Sequence, residues 1–238
     1  MTLTIKEPLF IQQRNKAYSV FKGNGLEVGA FEHLARLPED CKTMYCDVIS
    51  EKSAKELFPE IDVKTLKKVD FLVDIDQDGL KPFKSNSQDY LIINHVIEHL
   101  FDPIEAINEC FRVIKHGGLV AISVPDKRYT YDSKRPLTSF DEIHKRILRQ
   151  PKSPIPDDYI DILNHIHPEI LERPVAEQKQ VLVNFLLRRE HLSVWTAESF
   201  VSFLQKVLVM KKIKTKKICE FFPDTNKFEY FCIMQKLA

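Results

Sequence analysis

Hydrophobic and polar positions along residues 24–124 follow two alternating patterns, short apolar runs and longer stretches with helical spacing. The apolar runs predict five strands, at residues 25–28, 43–48, 69–75, 88–94 and 119–124. The helical spacing predicts helices between them, at residues 31–37, 51–57 and 103–114. Strands that alternate with helices build a parallel sheet with helices on both faces. We therefore predict an α/β fold for this region.

The segments before and after this region have different patterns. Residues 9–21 predict an amphipathic lead-in helix, within an N-terminal segment at 1–23. Residues 126–190 are rich in proline and only weakly periodic, which predicts a helical insertion or lid after the fifth strand.

Regular patterns return near the C-terminus. Thr196 is a predicted N-cap for a helix that ends near residue 209. Two apolar runs at 213–222 and 228–235 surround the turn residues 223–226, which indicates an antiparallel hairpin. We expect a Rossmann-like sheet of seven mostly parallel strands that ends in this hairpin, in a single domain over residues 1–238.

Composition and charge narrow the class of protein. The 238 residues carry 35 Lys and Arg against 34 Asp and Glu, so the chain lacks the broad positive field of a nucleic-acid coat protein. The five cysteines include no Cys-x-x-Cys pair, which argues against a disulfide framework and a thiolate zinc site. No apolar run approaches the ~18 residues of a membrane span. These features favour a cytoplasmic protein with reduced thiols.

Several short motifs, taken together in order, resemble the type-11 domain of class I S-adenosylmethionine-dependent methyltransferases. The matching segments lie at residues 25–30, 45–47, 73–76, 89–103, 111–118 and 124–125. The continuation at 126–132 resembles a bacterial subgroup associated with glycosyltransferase and surface-polysaccharide genes. One departure is Phe31, which stands where the family usually has a second glycine; Glu32 follows it.

The resemblance implies an S-adenosylmethionine site at the carboxyl ends of the strands, where ligands bind in doubly wound sheets. Gly29 permits close approach of the backbone, and amides that open the following helix can receive the methionyl carboxylate. Asp47 can accept the ribose hydroxyls, and Asp74 or Asp76 the adenine amino group. The implied cofactor-binding set is Glu27, Gly29, Ala30, Asp47, Asp74, Ile75, Asn94 and His95.

The predicted reaction is transfer of the methyl group to a small acceptor, with S-adenosylhomocysteine as product and O-methylation favoured. A hydroxyl acceptor needs a general base, for which the candidates are His95, His191 and Asp126. Residues 126–152 hold eight basic against four acidic side chains, which suits an anionic or sugar-phosphate acceptor. Candidate substrate-binding residues are His99, Arg128, Tyr129 and Tyr131.

A metal site is the first alternative. Residues 95–99 match the His-x-x-Glu-His signature of zinc peptidases, which requires both histidines on one continuous helix. Because His95 follows a buried strand run directly, we expect the signature to be broken by a strand-to-loop junction and predict no bound metal. His165, His167 and His191 also have no cysteine or spaced carboxylates to complete a site, so we expect them to be solvated or to face the substrate.

Three further functional hypotheses were considered, of which the first two remain open. The basic run at 211–217 favours the solvated face of an edge strand, although the same run would serve an RNA or tRNA methyltransferase. A methyltransferase-fold module without catalysis would share every architectural signal. A nicotinamide oxidoreductase is disfavoured, because the first turn lacks the Gly-x-Gly-x-x-Gly fingerprint.

Overall fold

The computed structural model of the protein describes residues 7–31, 34–62 and 66–238. The described residues form one sheet of seven strands, in the spatial order β3-β2-β1-β4-β5-β7-β6. The strands are β1 (Gly23–Val28), β2 (Cys41–Asp47), β3 (Phe71–Leu72), β4 (Gln88–Asn94), β5 (Ile114–Pro125), β6 (Thr215–Phe221) and β7 (Glu229–Lys236).

The first five strands are parallel, and β7 lies antiparallel between β5 and β6. This order and the reversed strand β7 confirm the predicted fold class, a Rossmann-like sheet of seven mostly parallel strands that ends in an antiparallel pair. β6 is the edge strand next to β7. The helices pack on the sheet or lie in the segment after β5. They are α1 (Leu9–Ala17), α2 (Glu51–Leu57), α3 (Ile75–Asp78), α4 (Pro103–Val113), α5 (Phe140–Leu148), α6 (Ile160–His165), α7 (Val175–Arg188), α8 (Ala197–Met210) and α9 (Pro223–Asn226).

Local sequence signals explain the best-predicted elements. Residues 90–93 of β4 are fully buried, as expected for a central parallel strand covered on both faces. The Asp102 carboxylate accepts a hydrogen bond from the amide of Glu105, and Pro103 occupies the first turn of α4. Thr196 caps α8 in the same way, through the amide of Ser199.

Four predicted elements differ in the structure. The predicted strand at 69–75 is reduced to β3, because Asp74 turns the chain and caps α3. No helix is present at residues 34–37 of the predicted 31–37 helix, and residues 32 and 33 lie outside the described part of the chain. Helix α4 ends at Val113, before the predicted glycine stop, because β5 already begins at Ile114. The short helix α9 replaces the predicted turn.

The segment at 126–190 is helical, as predicted, and has a small core of its own. Tyr159, Leu163 and Leu182 are buried there against Phe101 and Leu192. This core is separate from the main core between the sheet and the helices α4 and α8. We call this segment, which holds α5, α6 and α7, the insertion. In the described part of the chain, no helix combines the length and the apolar character of a bilayer span.

Candidate functional site

A cavity of about 410 Å³ opens at the carboxyl ends of β1, β2 and β4. This volume falls in the range of small-molecule sites, and its position is the one that parallel sheets use for ligands. One side is formed by Gly29, Asp47 and Asp74, which follow strands of the sheet; we call it the strand-end wall. The lining also includes His95, His99, Tyr131 and His191, which we call the histidine wall.

The backbone geometry of the strand-end wall depends on Gly29 and Asp47. Gly29 has a φ of +68°, and a Cβ added there would lie 2.3 Å from Val96 Cγ2, so the position accepts only glycine. The Asp47 carboxylate ends β2 and accepts the amide of Ile49 at 3.0 Å. Burial raises the pKa of Asp47, although the hydrogen bonds from the amides of Ile49 and Val48 oppose that shift.

Asp74 and Ile75 also line the cavity, whereas Asp76 does not. The Asp76 carboxylate accepts the amides of Phe101 at 2.7 Å and Asp102 at 2.9 Å, so its oxygens are already engaged. Asp74 is paired with Arg189, which reaches it from the end of the insertion. A ligand amino group at Asp74 would therefore share this carboxylate with Arg189.

Glu27, Ala30 and Asn94, which belong to the predicted cofactor-binding set, are not among the residues that line the cavity. The Glu27 carboxylate is buried and accepts the amide of Ala35 at 3.0 Å, so it holds the loop that follows β1. Burial raises the pKa of Glu27 to about 7. The Asn94 amide donates to the Tyr18 hydroxyl at 2.8 Å and therefore points away from the cavity.

His95 starts the histidine wall and is oriented by a buried ionic pair. Its φ is +52°, a conformation that residues other than glycine adopt rarely and often at functional sites. The Nε2 atom lies 2.6 Å from Glu229 Oε2, and Arg14 Nε donates to Glu229 Oε1 at 2.7 Å. Burial opposes the charged form of Glu229, but the hydrogen bond from His95 and the charge of Arg14 hold the pKa of Glu229 below its ordinary value.

The rings of His99 and His191 pack edge to face, with 4.6 Å between their centroids. His99 Nδ1 lies 2.5 Å from the carbonyl oxygen of Arg189, and His191 Nδ1 lies 2.6 Å from Asp132 Oδ2. Burial lowers the pKa of His99 to about 3, with a further contribution from the charge of His191. Burial opposes the charged form of His191 too, but the hydrogen bond to Asp132 and the charge of Glu98 raise its pKa.

Glu98 lies behind this wall, and sequence reasoning did not include it in the site. The residue is 1% exposed, and neither carboxylate oxygen has a hydrogen-bond partner in the described part of the chain. Its Oε1 atom lies 3.7 Å from His95 Nδ1 and 3.9 Å from His99 Nε2. Burial raises the pKa of Glu98. The only signal in the sequence was the His-x-x-Glu-His spacing.

Of the other predicted substrate and base residues, only Tyr131 lies at the cavity. Its ring stacks on His191, and its hydroxyl donates to Glu190 at 3.1 Å. Asp126, the third predicted base, is fully buried, is paired with Arg128, which also contacts Glu198, and does not line the cavity. The Lys227 ammonium lies over the Tyr129 ring, outside the cavity lining.

Three arginines of the insertion form ion pairs or hydrogen bonds with other groups of the protein. Arg135 is buried and paired with Asp132 and Asp161, and Arg149 is paired with Asp158. Arg146 donates to the backbone carbonyls of 100, 101 and 192. These arginines therefore stabilise the insertion. Their engagement weakens the prediction of an anionic acceptor, which depended on the positive charge of this segment.

The remaining candidate patches lie elsewhere. The basic run at 211–217 leads into the edge strand β6, as predicted, with Lys211 paired to Glu105 and Lys217 to Glu220. His165 and His167 bond to Asp161 and Glu169 respectively. None of these side chains is among the described residues that line the cavity.

Comparison with known proteins shows what residues 23–122, from β1 into β5, are similar to. Residues 23–122 match the family model described as a methyltransferase domain. A probable S-adenosylmethionine-dependent methyltransferase of Mycolicibacterium smegmatis is 39% identical over 61 residues. The match covers 25% of this chain and 23% of that protein, so the chain spans about a quarter of its relative's length.

Two solved structures resemble the whole chain. The YcgJ protein of Bacillus subtilis has a TM-score of 0.50 at 12% identity, over 97% of both chains. A Rhodobacter sphaeroides protein, whose name is that of a zinc-dependent alcohol dehydrogenase, has a TM-score of 0.56 at 14% identity, over 99% of this chain and 93% of the other. At these identities the two likenesses show the fold alone.

Proposed function

Because residues 23–122 carry a methyltransferase domain, we propose that the protein transfers a methyl group from S-adenosylmethionine to a hydroxyl group of a small acceptor. The observation that carries the proposal is the cavity itself. It opens where β1 and β2 end, it has the volume of a small-molecule site, and the Asp47 carboxylate faces it.

The strand-end wall suits the adenosine half of the cofactor. Asp47 has two carboxylate oxygens, and one ribose offers two adjacent hydroxyl donors. The apolar side chains of Val48, Ile49 and Val73 line the same region and would contact the flat faces of adenine. The amide of Gly29 donates to the carbonyl of Cys46 at 2.9 Å, so the methionyl carboxylate needs other donors from the same loop.

The histidine wall suits the transfer step. When bound, S-adenosylmethionine supplies a methyl group already activated by its sulfonium sulfur. A hydroxyl acceptor needs a base near its proton. With the Glu229 carboxylate accepting the proton of His95 Nε2, the Nδ1 atom is left as a proton acceptor, in the manner of a histidine base oriented by a carboxylate.

His191 offers a second histidine held by a carboxylate, through Asp132. Its ring and the stacked ring of Tyr131 form a flat surface at the cavity, which suits a sugar-containing or similar uncharged acceptor. The internal pairing of Arg135 and Arg149 favours such an acceptor over a phosphate-bearing one.

Calorimetric titration with S-adenosylhomocysteine tests the cofactor part of the proposal. We expect binding to the wild-type chain, and we expect Asp47→Ala to weaken it by about 1–3 kcal/mol, which is roughly 5- to 150-fold, through loss of charge-assisted hydrogen bonds. Lys214→Ala, on the turn before β6, is the matched control and should bind as the wild type does.

Two results would reject the proposal. The first is no binding of S-adenosylhomocysteine by the wild-type chain, which would leave a non-catalytic module with this fold. The second is tight binding of NADH at the same cavity, which would indicate an oxidoreductase. Equal weakening by Asp47→Ala and Lys214→Ala would reject the placement of the ribose at Asp47.

A further inference from the structure

The residues around the Glu98 carboxylate do not compensate for its burial. It is buried, and both of its oxygens lack hydrogen-bond partners among residues 7–31, 34–62 and 66–238. An isolated buried carboxylate is costly unless it is paired, protonated or bound to a metal ion. The groups nearest to it are histidine rings, at 3.7 Å for His95 and 3.9 Å for His99.

His99 and His191 are held in the way that metal ligands are held. His99 Nδ1 is bonded to the carbonyl oxygen of Arg189, and His191 Nδ1 is bonded to the carboxylate of Asp132. A hydrogen bond at one ring nitrogen fixes the tautomer and directs the other nitrogen at an ion. In both rings the nitrogen left for a ligand is therefore Nε2.

The three side chains also meet the distance requirement. One ligand atom from each of Glu98, His99 and His191 lies within 4.8 Å of the other two. This spacing is somewhat wider than in a loaded site, and small side-chain rotations would close it around an ion. Two imidazole nitrogens and one carboxylate form a donor set that zinc accepts in catalytic sites, with a fourth position left open.

We propose that Glu98, His99 and His191 bind a divalent transition-metal ion, with zinc the best match, and that its open position faces the cavity. This revises the expectation of no metal. The His-x-x-Glu-His motif does not work here as it does in peptidases, because residues 97–99 form a short 3-10 turn rather than a continuous helix. The third ligand, His191, directly follows the insertion instead.

The site would have a clear use in the proposed reaction. A hydroxyl bound to zinc loses its proton at a much lower pH than a free hydroxyl, and the ion would also orient the acceptor oxygen. This use rests on the proposed function. The binding of the ion does not, since it depends only on the three ligands and their supporting hydrogen bonds.

The test measures metal binding to the full-length protein after chelator treatment and dialysis. Zinc is titrated calorimetrically. Cobalt is added separately as a spectroscopic substitute, whose visible absorption reports a low coordination number with nitrogen and oxygen ligands. We expect the wild-type chain to bind a single ion and Glu98→Gln to bind it about 100-fold more weakly or worse. His167→Gln is the control, because this histidine is half-exposed and lies outside the cavity lining.

His99→Gln is the second variant, and it should lose the ion as Glu98→Gln does; circular dichroism shows whether each variant is folded. Equal zinc affinity in the wild type and in a folded Glu98→Gln or His99→Gln variant would overturn the proposal, as would a wild-type chain that retains no zinc or cobalt. S-adenosylhomocysteine binding, measured on the same metal-free samples, separates the two proposals. If it persists without metal binding, only the metal site is rejected.

Discussion

The two walls of the cavity are built in different ways. In the strand-end wall, carboxylates bond to backbone amides only two residues away, Asp47 to Ile49 and Asp74 to Asp76. In the histidine wall, the partners are far apart along the chain: 134 residues separate His95 from Glu229, and 90 separate His99 from Arg189. Local backbone geometry thus forms one wall, and long-range packing forms the other.

The walls also differ in how their charges are satisfied. The strand-end wall keeps Asp47 facing the cavity with backbone amides as partners. The histidine wall is supported by buried ion pairs, Arg14 with Glu229 on one side and Arg135 with Asp132 on the other. Breaking a buried pair leaves an uncompensated charge. We therefore expect the histidine wall to be the more sensitive of the two to mutation.

The largest effect is expected from Arg135→Ala. This buried guanidinium bonds to Asp132, to Asp161 and to the carbonyl oxygen of His191, so its removal leaves the buried Asp132 carboxylate without its arginine partner. We expect the free energy of unfolding to fall by about 3–5 kcal/mol, measured by urea denaturation. The exposed neighbour Lys134→Ala should change it by less than about 0.5 kcal/mol. A loss below about 1 kcal/mol for Arg135→Ala would remove the contrast between the walls.

A smaller effect, and one that depends on pH, is expected from Glu27→Gln below the strand-end wall. Burial raises the pKa of Glu27 from 4.5 to about 7, so the folded state binds this proton more tightly than the unfolded state. The resulting stability is complete below pH 4.5 and is lost as the pH rises to about 7. Glu27→Gln should abolish this slope and be more stable than the wild type at pH 8 by up to about 3 kcal/mol.

Urea denaturation at several pH values measures this difference. Glu56→Gln, an exposed glutamate on α2, is the control and should follow the wild-type pH profile. Parallel profiles for the wild type and Glu27→Gln would show that Glu27 ionises normally in the folded state.

The smallest effect is expected where the walls meet, at the ion pair between Asp74 and Arg189. Their side chains are 18% and 33% exposed, so solvent screens much of the attraction. A double-mutant cycle with Asp74→Asn and Arg189→Gln should give a coupling free energy of about 0.5–1 kcal/mol in urea denaturation. If the two changes are additive within about 0.3 kcal/mol, the walls are energetically independent at this contact.

Elements with complete local signals were predicted closely. The bounds of β4 and α2 match the prediction, and α4 differs only at its end, because burial patterns and capping residues fix each of them within a few residues. The strand predicted at 69–75 failed for a local reason as well. Asp74 accepts the amide of Asp76 and starts a helix, which competes with strand formation.

Within the site, the sequence alone determined the parallel arrangement of the first five strands, the position of the cavity at their carboxyl ends, and three residues that line it there, Gly29, Asp47 and Asp74. These follow from periodicity and from the rule that parallel strands share one carboxyl edge. Only the tertiary structure decided that Asp126 is paired with Arg128, that Arg135 and Arg149 pair with carboxylates of the insertion, and that Glu98 lies among three histidines. Such contacts join residues tens of positions apart, and no local pattern of apolar and polar residues encodes which distant side chain will fill a given space.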